Sequence, residues 1–152
     1  MTHLPGSLAR RLGAMLYDTL LLLALWMLAT ALFLPLTGGE ALQGAESPLL
    51  AAAHRAALVG VLIVFYGLSW TRCGQTLGMA AWRLRVERED GRLLTWPDVL
   101  RRLAAALLSW LPLGAGWVAA LVDPDRRTWH DRLSRTRVVL LAASARARAS
   151  GR

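Results

Sequence analysis

The sequence predicts an all-α membrane protein. We expect two transmembrane helices, a third apolar segment that is either broken and re-entrant or a third spanning helix, and a small cytoplasmic β-hairpin. Of the 152 residues, 55% are hydrophobic, and three long segments carry almost no charge. Most arginines lie beside those segments, and Arg55 lies near one end of the second. This composition and this charge distribution exclude a typical soluble domain.

The first span is predicted at Leu12 to Leu36, where Asp18 is the only charged residue. A helix needs about 20 apolar residues to cross the hydrocarbon core of a bilayer. An aspartate inside such a helix costs roughly 2.5 to 3.5 kcal/mol, so Asp18 should have a protein partner, a watery cavity or a proton. The alternative is a shallow carboxylate at the headgroups, but Asp18 lies roughly 9 Å along the helix from Leu12. We interpret this segment as an uncleaved span rather than a signal peptide.

The second span is predicted at about Leu49 to Thr71. The loop before it contains Glu40 and Glu46 but no arginine. The positive-inside rule therefore places this loop outside and the N-terminus, with Arg10 and Arg11, in the cytoplasm. Small residues recur along the span at intervals of four and three and predict packing against the first helix, above all at Gly60 and Gly67.

The basic segment from Arg72 to Arg102 is predicted to be cytoplasmic. From Trp82 to Glu87, apolar and charged residues alternate as in a half-exposed strand, and the predicted first strand of a hairpin runs to Glu89. Asp90-Gly91 favours a hairpin turn, after which Arg92 to Leu94 would pair back. Thr95 and Asp98 have the spacing of a capping box and predict the start of the next helix. Val138 to Leu141 is predicted as a further strand beside this hairpin if both are cytoplasmic.

The third apolar segment is predicted at about residues 99–122, and Leu103 to Val122 is uncharged for its whole length. One crossing would carry the arginines that follow it to the outer side, against the positive-inside rule. Pro112, Gly114 and Gly116 favour two half-helices that enter and leave the same face, which is tolerated where protein or water shields the backbone. We expect one membrane domain over residues 1–141 and a disordered basic tail over 142–152.

Charge and residue types limit the function classes. The net charge is +8, and all 18 basic residues are arginine. Because these arginines flank apolar segments, the predicted partners are the lipid bilayer and its anionic headgroups rather than nucleic acid. Cys73 is the only cysteine, so no intrachain disulfide forms. His130-Asp131 without further ligands favours a capping or hydrogen-bonding role over a metal site. We identify no nucleophile with a base, and we predict neither catalysis nor a cofactor.

The charged residues near the spans are candidates for a polar cluster. Arg11 and Asp18 are seven positions apart and share a helical face, but roughly 10 Å of axial separation makes a direct salt bridge unfavourable. An arginine from another element is the expected partner of Asp18, and the candidates are Arg72, Arg102 and Arg132. Our hypothesis is that Asp18 exchanges a proton or cation at a helix interface, with Asp131 and an arginine completing the cluster.

Several motifs together resemble those of the RDD family of small bacterial membrane proteins. They are Arg10-Arg11 with Tyr17-Asp18, Gly74-Gln75-Thr76-Leu77-Gly78 before Leu84-Arg85-Val86, Asp123-Pro124, Trp129-His130-Asp131-Arg132-Leu133, and Thr136-Arg137-Val138-Val139. The resemblance covers roughly Pro5 to Leu140. One departure is Met79, where relatives often carry a lysine, so that a contact made by that lysine is absent here or is supplied by Arg83.

The resemblance implies a multi-pass protein of the bacterial inner membrane with a suggested role in transport, and some relatives are linked to sodium/proton antiport. The family is named for one arginine and two aspartates. By position these are Arg11 or Arg10, then Asp18, then Asp131 or Asp123. We therefore expect transport or cation/proton exchange by a homo-oligomer. The alternative is a non-transporting scaffold or accessory subunit bound to another membrane protein. The candidate site residues are Arg11, Asp18, Arg102, Asp123, Asp131 and Arg132.

Overall fold

A computed structural model describes residues 4–37, 48–111, 115–124 and 127–141 of the chain. The predicted tail over 142–152, the loop residues Glu40 and Glu46, and the helix breakers Pro112 and Gly114 lie outside these residues. The strands are β1 (Leu4–Pro5), β2 (Leu84–Arg88) and β3 (Thr136–Leu140). The helices are α1 (Leu8–Phe33), α2 (Pro48–Arg72), α3 (Leu77–Ala81), α4 (Trp96–Trp110), α5 (Ala115–Val122) and α6 (Trp129–Leu133), and a 3₁₀ turn (Leu34–Thr37) follows α1.

The two longest helices, α1 and α2, contain 26 and 25 residues. At about 1.5 Å per residue, each is longer than the roughly 30 Å hydrocarbon core of a bilayer. In the most apolar 18-residue stretch of each helix, only 6% and 0% of the stretch is buried inside the protein. The core helix of a soluble protein would be mostly buried, so these helices have the length and the surface of membrane spans.

The contacts between α1 and α2 are partly polar. The Trp26 Nε1 atom donates a hydrogen bond to the Leu58 carbonyl oxygen at 2.9 Å. The Thr30 hydroxyl and the His54 Nε2 atom lie 2.9 Å apart. Both pairs satisfy polar groups on helices whose surfaces are otherwise apolar, which fixes how the two helices face each other.

The predicted packing of Gly60 and Gly67 against α1 is wrong. A Cβ atom added at Gly60 would meet nothing within 4 Å. One added at Gly67 would lie 2.2 Å from the Trp96 ring, which belongs to α4. The small residues of α2 therefore leave space for an indole of α4 at Gly67, and they leave an open surface at Gly60. The periodicity identified a face of α2 but could not identify the neighbour of that face.

The structure has a three-stranded antiparallel sheet in the order β1-β3-β2 instead of the predicted hairpin. Asp90-Gly91 does turn the chain, with Gly91 at φ +81°. The Arg88 amide then donates to the Arg92 carbonyl oxygen at 2.9 Å, but β2 pairs along its length with β3. Pairing with β3 is favoured because this strand is buried, with Val138 and Val139 only 6% and 3% exposed. The strand predicted near Val138 to Leu141 is thus the central strand.

The third apolar segment is folded as two helices, α4 and α5, which pack against each other. A Cβ atom added at Gly116 would lie 2.7 Å from Ser109 Cβ, so the start of α5 lies against the last turns of α4. The capping box of Thr95 and Asp98 at the start of α4 is confirmed. The broken-helix alternative agrees with this arrangement, whereas one continuous third helix does not.

Candidate functional site

Three side chains that are distant in sequence form a buried cluster near the N-terminal end of α1. Arg11 Nη1 lies 2.5 Å from Asp131 Oδ2, and Arg102 Nη1 lies 2.7 Å from Asp131 Oδ1. One carboxylate thus bridges two guanidinium groups, and we call Arg11, Arg102 and Asp131 the arginine–aspartate cluster. All three residues are buried, with at most 5% of each exposed. The cluster connects α1, α4 and α6.

The short helix α6 positions Asp131 through a capping box with Thr128. The Thr128 amide donates to Asp131 Oδ2 at 3.1 Å, and the Asp131 amide donates to the Thr128 hydroxyl at 3.3 Å. This is the capping role that the sequence favours for the His130-Asp131 pair over a metal site. Thr128 itself was missed, although the Thr-x-x-Asp spacing that identified Thr95 and Asp98 recurs at Thr128 and Asp131.

Further contacts fix the two guanidinium groups of the cluster. Arg11 Nε donates to the Gly6 carbonyl oxygen at 3.1 Å. Arg102 Nη1 donates to the Thr136 hydroxyl at the start of β3. The Arg102 guanidinium also lies 5.4 Å from the centre of the Trp70 ring, within range of a cation–π interaction. The cluster therefore connects the helices to the sheet as well as to one another.

The surroundings of Asp131 and His130 shift their pKa values in the same direction. Burial alone would raise the pKa of Asp131, but the charges of Arg102 and Arg11 outweigh it and lower that pKa well below its usual value. Burial and the charge of Arg102 lower the pKa of His130 to about 3, against the opposing effect of Asp131. At neutral pH the site therefore contains an ionised aspartate and a neutral histidine.

Asp18 has different partners from those we expected. Its carboxylate accepts a hydrogen bond from the Thr76 hydroxyl at 2.5 Å and from the Gly78 amide at 2.9 Å. The expectation of an arginine partner, Arg72, Arg102 or Arg132, is therefore wrong. The physical reason is that the segment Gly74 to Gly78 leads into α3 beside α1. This places two neutral donors, the Thr76 hydroxyl and the Gly78 amide, at the carboxylate.

Gly78 is needed for this contact because a Cβ atom there would lie 2.2 Å from the Ala14 carbonyl oxygen and 2.8 Å from Asp18 Oδ1. Thr76 also caps α3 by accepting from the Met79 amide at 3.1 Å. Thr76 and Gly78 were not among the predicted site residues. The sequence signal that could have identified them is the pair of glycines that flanks Thr76 in the family motif Gly74 to Gly78.

Asp123 and Arg132 form a separate pair. Arg132 Nη2 lies 2.5 Å from Asp123 Oδ2, and the arginine side chain is 62% exposed. Neither residue lines the cavity described below. The structure therefore does not join Asp123 and Arg132 to the buried cluster, and of the alternatives named for the second aspartate it places Asp131 in contact with Arg11.

A cavity of about 300 Å³ lies between α1, α2 and α4, above the sheet. Its polar lining includes Arg11, Asp18, Arg102 and His130, and its remaining lining is mostly apolar. The polar cluster predicted around Asp18 is therefore divided: Asp18 lines the cavity together with Arg11 and Arg102 but is bound by Thr76 and Gly78, whereas Asp131 pairs with the two arginines. Among the described residues no set of three or more His, Cys, Asp or Glu side chains could hold a metal ion.

Two apolar helices of spanning length, with ionised side chains buried at one end of the pair, are typical of a small helical membrane protein. The chain matches the RDD family over residues 5–135 and belongs to that family. The comparisons with curated proteins and with solved structures give no significant match.

Proposed function

We propose that the protein is a multi-pass protein of the bacterial inner membrane, with α1 and α2 crossing the bilayer and the sheet in the cytoplasm. Support comes from the apolar exposed surfaces of α1 and α2. Exposed arginines near the sheet, such as Arg92 and Arg101, are suited to contact anionic headgroups at that side. In this arrangement α4 and α5 form a re-entrant pair that enters and leaves on the cytoplasmic side.

Within the membrane we propose a transport function, the exchange of protons or monovalent cations at Asp18. The observation that carries the proposal is the position of Asp18, which is buried within a candidate span and lines the cavity. Its two hydrogen-bond donors favour the ionised carboxylate, while burial disfavours it, so proton or cation binding can compensate the charge. Asp131 is not suited to this exchange because two arginines already neutralise it.

The second candidate function is a non-transporting scaffold or accessory subunit. The arginine–aspartate cluster favours it, because ion pairs of 2.5 and 2.7 Å hold three elements together at a fully buried carboxylate. Under this proposal the open surface of α2 around Gly60 binds another membrane protein. Under the transport proposal the same surface is expected to contact a second copy, since two spans and a re-entrant pair scarcely enclose a pathway. Neither candidate involves catalysis or a cofactor.

Reconstitution into liposomes separates the two candidates. We expect an imposed sodium or potassium gradient to drive proton movement that a pH-sensitive dye reports, at several starting pH values. Asp18→Asn should abolish this flux while the protein still inserts. Asp123→Asn is the matched control, because Asp123 lies outside the cavity, and it should retain the flux. Wild-type liposomes without any flux, or flux that persists in Asp18→Asn, would refute exchange at Asp18 and favour the scaffold.

A further inference from the structure

The cavity has an apolar wall that ion exchange does not use. Side chains from all three surrounding helices form this wall, and the sheet closes it from below. The wall includes Met15, Leu62 and Ala106 on the helices and Leu84, Val86 and Val138 on the sheet. A small ion needs polar ligands rather than hydrocarbon. A wall of this composition instead stabilises a hydrophobic group, since ligand cavities are mostly apolar with a few placed polar groups.

The polar end of the cavity is rich in hydrogen-bond donors. In the arginine–aspartate cluster two guanidinium groups share one carboxylate, so the cluster carries an excess positive charge. The Asp18 carboxylate also lines the cavity, but its hydrogen-bond donors are Thr76 and Gly78 rather than the arginines. The contacts of Arg102 with Asp131 and Thr136 both use Nη1. Beside it, the buried Trp70 Nε1 atom has no hydrogen-bond partner among the described residues. An unsatisfied buried donor is destabilising, and an incoming acceptor oxygen would satisfy it.

The rim of the cavity lies on surfaces that the proposed arrangement places near lipid. Leu107 lines the cavity and is also 73% exposed. Met15 lines it from α1, where Leu12 and Leu16 beside it are exposed. A molecule dissolved in the bilayer could therefore enter sideways between α1 and α4 without crossing water.

We propose that the cavity binds a single-chain amphiphile with a carboxylate head, such as a fatty acid from the surrounding membrane. The carboxylate accepts hydrogen bonds from Arg102 and Trp70, and the chain lies along the apolar wall. A volume of about 300 Å³ is at the lower end of known ligand cavities. It suits one short chain or part of a longer one, and excludes a two-chain phospholipid. The inference rests on the membrane placement but not on ion exchange at Asp18.

The test measures binding of radiolabelled decanoate to the purified protein in nanodiscs, with empty nanodiscs as the blank. We expect saturable binding. Competition by decanoate should be about 10-fold stronger than competition by 1-decanol or decyltrimethylammonium, whose heads lack the carboxylate. Binding to protein-containing nanodiscs no greater than to the blank, or equal competition by all three amphiphiles, would overturn the proposal.

Variants locate the site. Ala106→Phe fills the cavity and should weaken decanoate binding at least about 10-fold. Leu108→Phe is the matched control, because Leu108 is an exposed neighbour on α4 outside the cavity, and it should bind as the wild type does. Trp70→Phe keeps the ring but removes the N–H donor and should weaken binding about 3- to 10-fold.

Unchanged affinity in Ala106→Phe would refute binding in this cavity, and unchanged affinity in Trp70→Phe would refute the assigned position of the head. Because the flux assay is separate, absent ion exchange with intact decanoate binding would remove only the transport proposal.

Discussion

Arg11, near the start of the first long helix, is paired at 2.5 Å with Asp131, 120 residues further along the chain. Arg102 completes this contact from a third element. A buried carboxylate between two guanidinium groups connects segments that share no sequence proximity, and breaking such a pair leaves uncompensated charge in the interior. This geometry makes the cluster a buried polar connection among α1, α4 and α6.

Asp131→Asn should destabilise the protein strongly. The substitution keeps the size of the side chain but leaves two buried guanidinium groups without their anion. We expect a loss of roughly 3 to 5 kcal/mol in the free energy of unfolding. Circular dichroism during unfolding in detergent measures this loss. Glu89→Gln is the control, because Glu89 pairs at 2.9 Å with Arg127 at a solvent-exposed site, and it should cost less than about 1 kcal/mol. Equal effects of the two substitutions would contradict the central role of the cluster.

The stability of the protein should fall as the pH drops from neutral, first through His130. Its pKa is 6.5 as a free side chain and about 3 in the folded protein. Below pH 6.5 the unfolded chain therefore binds a proton that the folded protein does not. Stability is complete above that pH and decreases toward pH 3, by on the order of 3 kcal/mol at pH 4. His130→Gln should flatten this dependence in denaturation measured from pH 7 to 4.

Asp131 adds a second loss at lower pH. Its folded-state pKa lies below the usual value of 3.8, so the stability it contributes is present above that value and is lost as the pH falls below it. Denaturation curves of His130→Gln recorded below pH 4 show this second transition, to which Asp98, whose pKa is also lowered, contributes. If the stability of His130→Gln still falls between pH 6.5 and 4, a group other than His130 titrates in that range, contrary to the first prediction.

Gly78→Ala should destabilise the contact between α3 and Asp18. The added methyl group would lie 2.2 Å from the Ala14 carbonyl oxygen, which belongs to a helix backbone and cannot move freely. Overpacking of this kind costs about 1 to 3 kcal/mol. Gly60→Ala is a matched control, since nothing lies within 4 Å of the new methyl group and alanine favours the helix. Thermal unfolding of both variants should give opposite shifts, and a stabilised Gly78→Ala would contradict the close approach.

The sequence predicted the positions of the helices far better than it predicted which elements contact one another. Long apolar segments predicted the bounds of α1 and α2 to within a few residues. The spacing of Thr95 and Asp98 predicted the start of α4. Both signals are local in sequence. The pairing of β2 with Arg92 to Leu94 was wrong since a turn at Asp90-Gly91 is local evidence. The strand predicted beside the hairpin, β3, pairs with β2 from about 50 residues downstream. The partner of Asp18 was missed for the same reason, because opposite charges suggested arginine while the fold supplied Thr76.

Gly67→Ala should separate α2 from α4 by displacing an indole. The new methyl group would lie 2.2 Å from the Trp96 ring. We expect a loss of about 1 to 3 kcal/mol, which a second substitution, Trp96→Leu, should partly restore by removing the clash. A double-mutant cycle measured by unfolding in detergent reports the coupling. Additive effects of the two substitutions would indicate that Gly67 and Trp96 do not touch.

Both ends of the described chain should lie on one side of the membrane. Leu140 in β3 pairs with Leu4 on one side and Leu84 on the other, so the chain before α1 and the chain after α2 meet the same strand. An odd number of crossings between β2 and β3 would pull this sheet apart. Reporter fusions before Leu4 and after Leu141 should therefore both report the cytoplasm, with a reporter inserted between α1 and α2 as the external control. An external reporter after Leu141 would mean that the segment from α4 to α5 crosses the bilayer and that Asp131 cannot pair with Arg11.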